Sequence, residues 1–133
     1  DARRETFDFL GYSFGPEHYR KDGHWYLAAK PSKKAVQRLK EKVRDVLQPG
    51  NQQQWEVVAQ RLNWLLRGWA GYFGYGTRLM AYRAIDRCVY ERVRHFLRRR
   101  HKVQTRGTRR FTVEQVFGEL GVLRLRTLHM RAA

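Results

Sequence analysis

A chain of 133 residues that is 42% hydrophobic and 14% aromatic can fold as one domain and is too apolar for a disordered basic tail. Its 28 basic against 12 acidic residues leave a net charge of +16, which calls for a polyanionic partner, with nucleic acid first and an anionic membrane surface second. No apolar run approaches the roughly 18 residues that span a bilayer, and the lone Cys88 excludes an internal disulfide, so a soluble protein of a reducing cytoplasm is expected.

The sequence opens on Asp1 without a methionine and passes directly into an apolar stretch, which reads as a piece of a longer polypeptide. Residues 6–15, Thr-Phe-Asp-Phe-Leu-Gly-Tyr-Ser-Phe-Gly, predict one strand, with aromatic or aliphatic groups on both faces and a bulge or close approach at Gly11. Pro16 is expected to end it. The Lys21-Asp22-Gly23 turn then leads into a second short strand at His24-Trp25-Tyr26-Leu27, completing a β-hairpin.

Ser32 after Pro31 is a natural N-cap, and Val36, Leu39, Val43, Val46 and Leu47 follow at helical spacing until Pro49-Gly50. From Gln52 a second helix places Trp55, Val58, Ala59, Leu62, Leu65, Leu66 and Trp69 on one stripe, with Trp69 read as core. The glycines among residues 68–76 are expected to end this helix and to let two backbones pack closely. A third helix, from about Arg78 to Arg100, buries Tyr82, Ile85, Val89, Val93 and Phe96. After a basic loop, Thr112 and Gln115 form a capping box ahead of the short apolar face Val113, Val116, Phe117 and Leu120. The last dozen residues carry no clear signal.

The positive charge is lopsided. Residues 1–66 contain 12 basic and 8 acidic residues, whereas residues 67–133 contain 16 and 4. In the second half every basic residue but Lys102 is arginine, whose planar fork suits phosphate oxygens and base edges. At 100° per residue, Arg83, Arg87, Arg94 and Arg98 fall within about 60° of one another, away from the buried stripe. That ridge can track a phosphate backbone, although Glu91 offsets part of the charge. Arg99, Arg100 and Lys102, continued by Arg106, Arg109 and Arg110 around the flexible Gly107, form a denser patch. Lys33 and Lys34 complete the candidate nucleic-acid-binding set. Among the aromatics of residues 64–75, helical spacing assigns most to the core and leaves Trp64 as the best candidate to stack on a base.

Catalytic chemistry finds little material. Phosphoryl or nucleotidyl transfer needs clustered carboxylates around magnesium, and Asp86, Glu91, Glu114 and Glu119 are well separated. Asp8 has no acidic neighbour on its strand. His18, His24, His95, His101 and His129 lack ligand spacing, so no metal, cofactor or catalytic residue is assigned.

Together these landmarks resemble the end of a bacterial group II intron-encoded reverse transcriptase. Phe7-Asp8-Phe9-Leu10-Gly11-Tyr12 is similar to the strand motif closing that family's palm, Pro31-Ser32 to the entry into its thumb, and residues 66–73, Leu-Arg-Gly-Trp-Ala-Gly-Tyr-Phe, to the maturase domain signature. The basic Arg94-His95-Phe96-Leu97-Arg98-Arg99-Arg100 also fits. The expected architecture is mainly α: a β-hairpin at the palm's end (1–30), a three-helix thumb (31–102), and a basic loop with a short C-terminal helical segment (103–133). The resemblance implies a non-catalytic module that grips group II intron RNA to promote splicing and holds the RNA–DNA template-primer. It further implies an upstream polymerase palm in the same polypeptide, where magnesium would be bound. Two other readings remain open at this point: a small DNA-binding or DNA-cleaving enzyme of a mobile element, and a structural RNA-packing protein.

Overall fold

The computed structural model describes residues 6–18, 21–100 and 111–132, with side chains as far as residue 128. Three antiparallel strands, β1 (Phe7–Phe9), β2 (Tyr12–His18) and β3 (Trp25–Pro31), lie in that order in one sheet. Helices α1 (Lys33–Val46), α2 (Trp55–Tyr72) and α3 (Leu79–Arg100) follow. A short wide-turn helix, Gln115–Glu119, and α4 (Leu125–Ala132) complete a mainly α fold with an N-terminal sheet.

The stretch expected as one strand is two. Leu10 and Gly11 both adopt positive φ, 53° and 86°, and Phe9 pairs with Tyr12 across them. This is the tight mirror-image turn that suits the twist of a hairpin. Aromatic residues on both faces of one supposed strand therefore belong to two strands folded together, with Phe7 stacked on Phe14 at 5.3 Å. Pro16 does not stop β2. It pairs with Leu27 of β3, past the last pair of β1 with β2 among the described residues, Phe7 with Phe14.

Ser32 caps α1 as expected, its Oγ accepting from the Ala35 N–H at 3.0 Å. The helices then bury their predicted stripes in one core: Leu39 and Val43 from α1, Val58, Leu62 and Leu66 from α2, and Ile85, Val89 and Val93 from α3. Trp55 lies beside Phe96 and Trp69 beside Tyr82, so α2 and α3 run antiparallel. Trp69 is only half-buried at the edge of this core, its ring 4.6 Å from that of Phe73.

The glycines after residue 67 meet the expectation only in part. α2 continues through Gly68 and Gly71 to Tyr72, and a Cβ on either glycine would meet nothing within 4 Å. Close approach occurs instead at Gly76, where φ is 76° and a Cβ would lie 2.2 Å from the Ala29 carbonyl oxygen. There Thr77 N–H donates to Ala29 at 2.8 Å, joining β3 to the α2–α3 connection. Tyr12 Oη donates to the Tyr72 carbonyl and Tyr72 Oη to the Leu10 carbonyl, each at 2.6 Å. The sheet is thus tied to the C-terminal end of α2.

The C-terminal segment folds back along α2 and α3. The Thr112–Gln115 capping box forms in both directions, at 3.0 and 3.2 Å, and Val116 is fully buried. Trp55 Nε1 donates to the Leu120 carbonyl at 2.9 Å. Asn63 accepts from Leu123 N–H and donates to the Gly121 carbonyl, both at 2.8 Å. Asp86, buried in α3, accepts from the N–H groups of Leu125 at 2.7 Å and Arg126 at 3.0 Å. A carboxylate 39 residues away in sequence therefore serves the first turn of α4, which is why α4 left no local capping signal.

Burial pushes the Asp86 pKa up, against the opposing pull of the Arg126 and Leu125 N–H groups and of Arg124 and Arg126. A raised native pKa means that the folded state binds the proton more tightly than the unfolded chain. The group's contribution to stability therefore rises as pH falls through the raised value towards 3.8. Measured against Asp86→Asn, the parent chain should gain stability over that window in denaturant titrations. Asp86→Ala at neutral pH should cost roughly 1–3 kcal/mol and release the amides of α4 to hydrogen exchange. Gly76→Ala should cost roughly 2 kcal/mol or more through backbone strain and the clash with Ala29, with lost protection centred on Thr77; an unchanged melting temperature would contradict the close approach.

Candidate nucleic-acid interface

Helix α3 has a wide solvent arc, because α1, α2 and the C-terminal segment leave its outer side uncovered. Arg83 and Arg87 lie fully on that arc. Arg87 Nε stands 3.5 Å from Glu91, with both side chains largely in water, so the pair offsets little of the charge. Arg94 and Arg98 share the predicted ridge but are half-buried, and among the described residues their Nε atoms have no hydrogen-bond acceptor. The Arg94 guanidinium lies over the Tyr90 ring at 5.0 Å, while Tyr90 Oη donates to the Phe111 carbonyl at 3.3 Å. The C-terminal segment thus reaches the aromatic ring beneath Arg94, and the four arginines form one exposed pair and one half-buried pair.

Arg99 is exposed and Arg100 is half-buried. Arg100 donates from Nη2 to the Asn51 carbonyl at 2.9 Å and lies 4.4 Å over the Phe96 ring, which couples the end of α3 to the α1–α2 connection. Lys33 and Lys34 are exposed in the first turn of α1. Lys102, Arg106, Arg109 and Arg110 lie outside the described residues, as do His101 and Gly107.

A second basic cluster was not apparent from the sequence. Arg92, His95 and Arg99, spaced three and four residues apart on α3, line a recess of about 370 Å³ with Arg44 from the end of α1 and one carboxylate, Asp45. Helical spacing could have found the α3 members. Their alignment with Arg44 depends on how α1 packs against α3, which no local pattern encodes. Among the described residues Arg87 is the only arginine with a carboxylate partner, and no three His, Cys, Asp or Glu side chains group as metal ligands. No helix among them is long and apolar enough to cross a membrane.

The model of the group II intron, maturase-specific domain matches residues 36–115. The chain belongs to this family. No curated protein matches it. The match to the maturase domain covers α1 from Val36, all of α2 and α3, and reaches the capping box, so both basic faces of α3 fall inside it. Within the match, residues 66–73 form the last turns of α2 together with the residues that clasp the sheet.

The differing environments of these arginines imply different duties. Arg100→Gln should lower the maturase domain's melting temperature by several degrees, consistent with losing roughly 1 kcal/mol of hydrogen bonding, yet leave the salt dependence of RNA binding unchanged. A flattened salt dependence without loss of stability would reverse that assignment.

Proposed function

We propose that this chain is the non-catalytic RNA-gripping thumb of a group II intron maturase and reverse transcriptase. In this reading it acts in the bacterial cytoplasm, holds intron RNA during splicing, and holds the template-primer duplex during reverse transcription. An upstream palm in the same polypeptide would carry the magnesium-dependent polymerase chemistry. The observation that carries the reading is the outer face of α3, where Arg83 and Arg87 stand exposed and Arg94 and Arg98 stand beside them without a carboxylate partner among the described residues.

Three physical points support it. The side chains are arginines, whose fork geometry accommodates two phosphate oxygens. Arg94 is stacked on an aromatic ring, which limits the rotamer freedom lost on binding. Guanidinium nitrogens removed from water without an acceptor gain more from an incoming anion than solvated ones do. Membership of the maturase-specific family makes intron RNA the natural polyanion.

Replacing Arg83 and Arg87 by glutamine, which disturbs no buried group, should reduce the slope of log affinity against log salt by roughly 1.4–1.8, at about 0.7–0.9 per lost phosphate contact. Extending the change to Arg94 and Arg98 should flatten the slope further. Titrations of the quadruple variant with structured intron RNA that keep the parent slope would remove the α3 face from the interface.

A further inference from the structure

A groove of about 840 Å³ runs between α1, α2 and the Leu10–Gly11 turn. Its walls are two helical ridges, each built at a four-residue spacing. On α1 stand Lys34, Arg38 and Lys42, all exposed and without a carboxylate partner among the described residues. On α2 stand Trp64, Gly68 and Tyr72. Trp64 is 64% exposed and Tyr72 55% exposed. One carboxylate, Asp8, lines the hairpin end of the groove.

We propose that this groove holds a single strand of nucleic acid, with an unpaired base stacked on Trp64 and the phosphates following Lys34, Arg38 and Lys42. The inference rests on the RNA-binding reading above and assigns it a second surface with a different specificity, for unpaired nucleotides. An indole left in water is otherwise a cost to solubility without a return in packing, and among the described residues Trp64 makes no ring contact. Its flat face opposite a row of cations is the combination that binds single strands, since every base offers a π-face whatever its sequence. Three cations with one carboxylate confined to the far end favour an anionic occupant, and Asp8 would keep the phosphates on the α1 side.

Gly68 supplies an independent argument. Glycine inside a helix is unfavourable relative to alanine, and the fold does not need one here, because a Cβ at Gly68 would touch nothing. The position lies on the groove wall one turn from both Trp64 and Tyr72. A side chain would stand in the space between them, where the strand would lie. Gly71 also meets nothing but lies outside the groove lining, whereas Gly68 keeps the groove wall itself open to an occupant.

The test uses the 133-residue chain and three labelled probes: a ten-nucleotide oligo(rU), the matching oligo(dT), and a blunt-ended RNA duplex. Trp64→Ala and Gly68→Leu should each weaken oligomer binding roughly tenfold and leave duplex affinity unchanged. Trp64→Phe should restore most of the loss, and Gly68→Leu should melt no lower than the parent. An oligomer made abasic throughout should be insensitive to Trp64→Ala. Tighter binding of oligo(rU) than oligo(dT) would identify the strand as RNA, and equal binding would identify the shared chemistry of an unpaired base; either agrees with the proposal. Unchanged oligomer affinity in both variants, or equal losses on oligomer and duplex, would overturn it while leaving the α3 reading intact. Failure of the parent chain to bind any of the three probes would overturn the RNA-binding reading itself.

Discussion

The Asp86 carboxylate sets the arrangement of the C-terminal segment against α3. A charged group held inside α3 is costly unless polar partners reach it, and the two N–H groups that open α4 provide them. In satisfying one buried anion the chain brings its C-terminal segment onto α3. The same movement seats Val116, Val122 and Leu125 in the core. The setting of Tyr90, and with it of the Arg94 guanidinium stacked on its ring, follows from that docking.

The arginines thereby separate into packed and solvent-exposed groups, although all sit on one helix. Arg100 is fastened to a backbone carbonyl and an aromatic ring, and its charge contributes to holding two segments together. Arg83 and Arg87 contact almost nothing and are available to solvent and ligands. Arg94 and Arg98 lie between these conditions. A net charge of +16 is thus not one uniform field: part is used internally, and the remainder is displayed on distinct surfaces of different shape. The outer side of α3 is convex and suits a rigid helical ligand, whereas the channel between α1 and α2 is concave and aromatic.

The sequence was most informative where structure is local. Ser32, the Thr112–Gln115 box and the apolar stripes of the three main helices announce themselves because capping and 3.6-residue periodicity act over a single turn or two. What stayed hidden depends on residues far apart. The Leu10–Gly11 reversal was obscured because leucine seldom takes positive φ, and Pro16 was misjudged because β2 is carried past it by pairing with β3, a distant partner. α4 was silent because its cap resides on α3. At the site, the predicted ridge of Arg83, Arg87, Arg94 and Arg98 exists as a line on a helix, but its members are unequally exposed, and the ring beneath Arg94 is bonded to a segment arriving from elsewhere in the chain. The cluster of Arg44 with Arg92, His95 and Arg99 likewise exists only once α1 and α3 are packed.

The reciprocal hydrogen bonds between Tyr12 and Tyr72 have a mechanical meaning. Each phenol donates to a backbone carbonyl of the opposite element or its adjoining turn, and Gly11 is pressed against the Phe73 ring, so the joint resists shear as well as separation. The sheet and the end of α2 therefore behave as a single lever with two attachments. A load applied at the Leu10–Gly11 tip reaches α2 through this clamp and α1 through the Pro31–Ser32 connection, where the Ser32 N–H donates to the Gly11 carbonyl at 2.8 Å. Displacement of the hairpin tip is therefore shared between two helices.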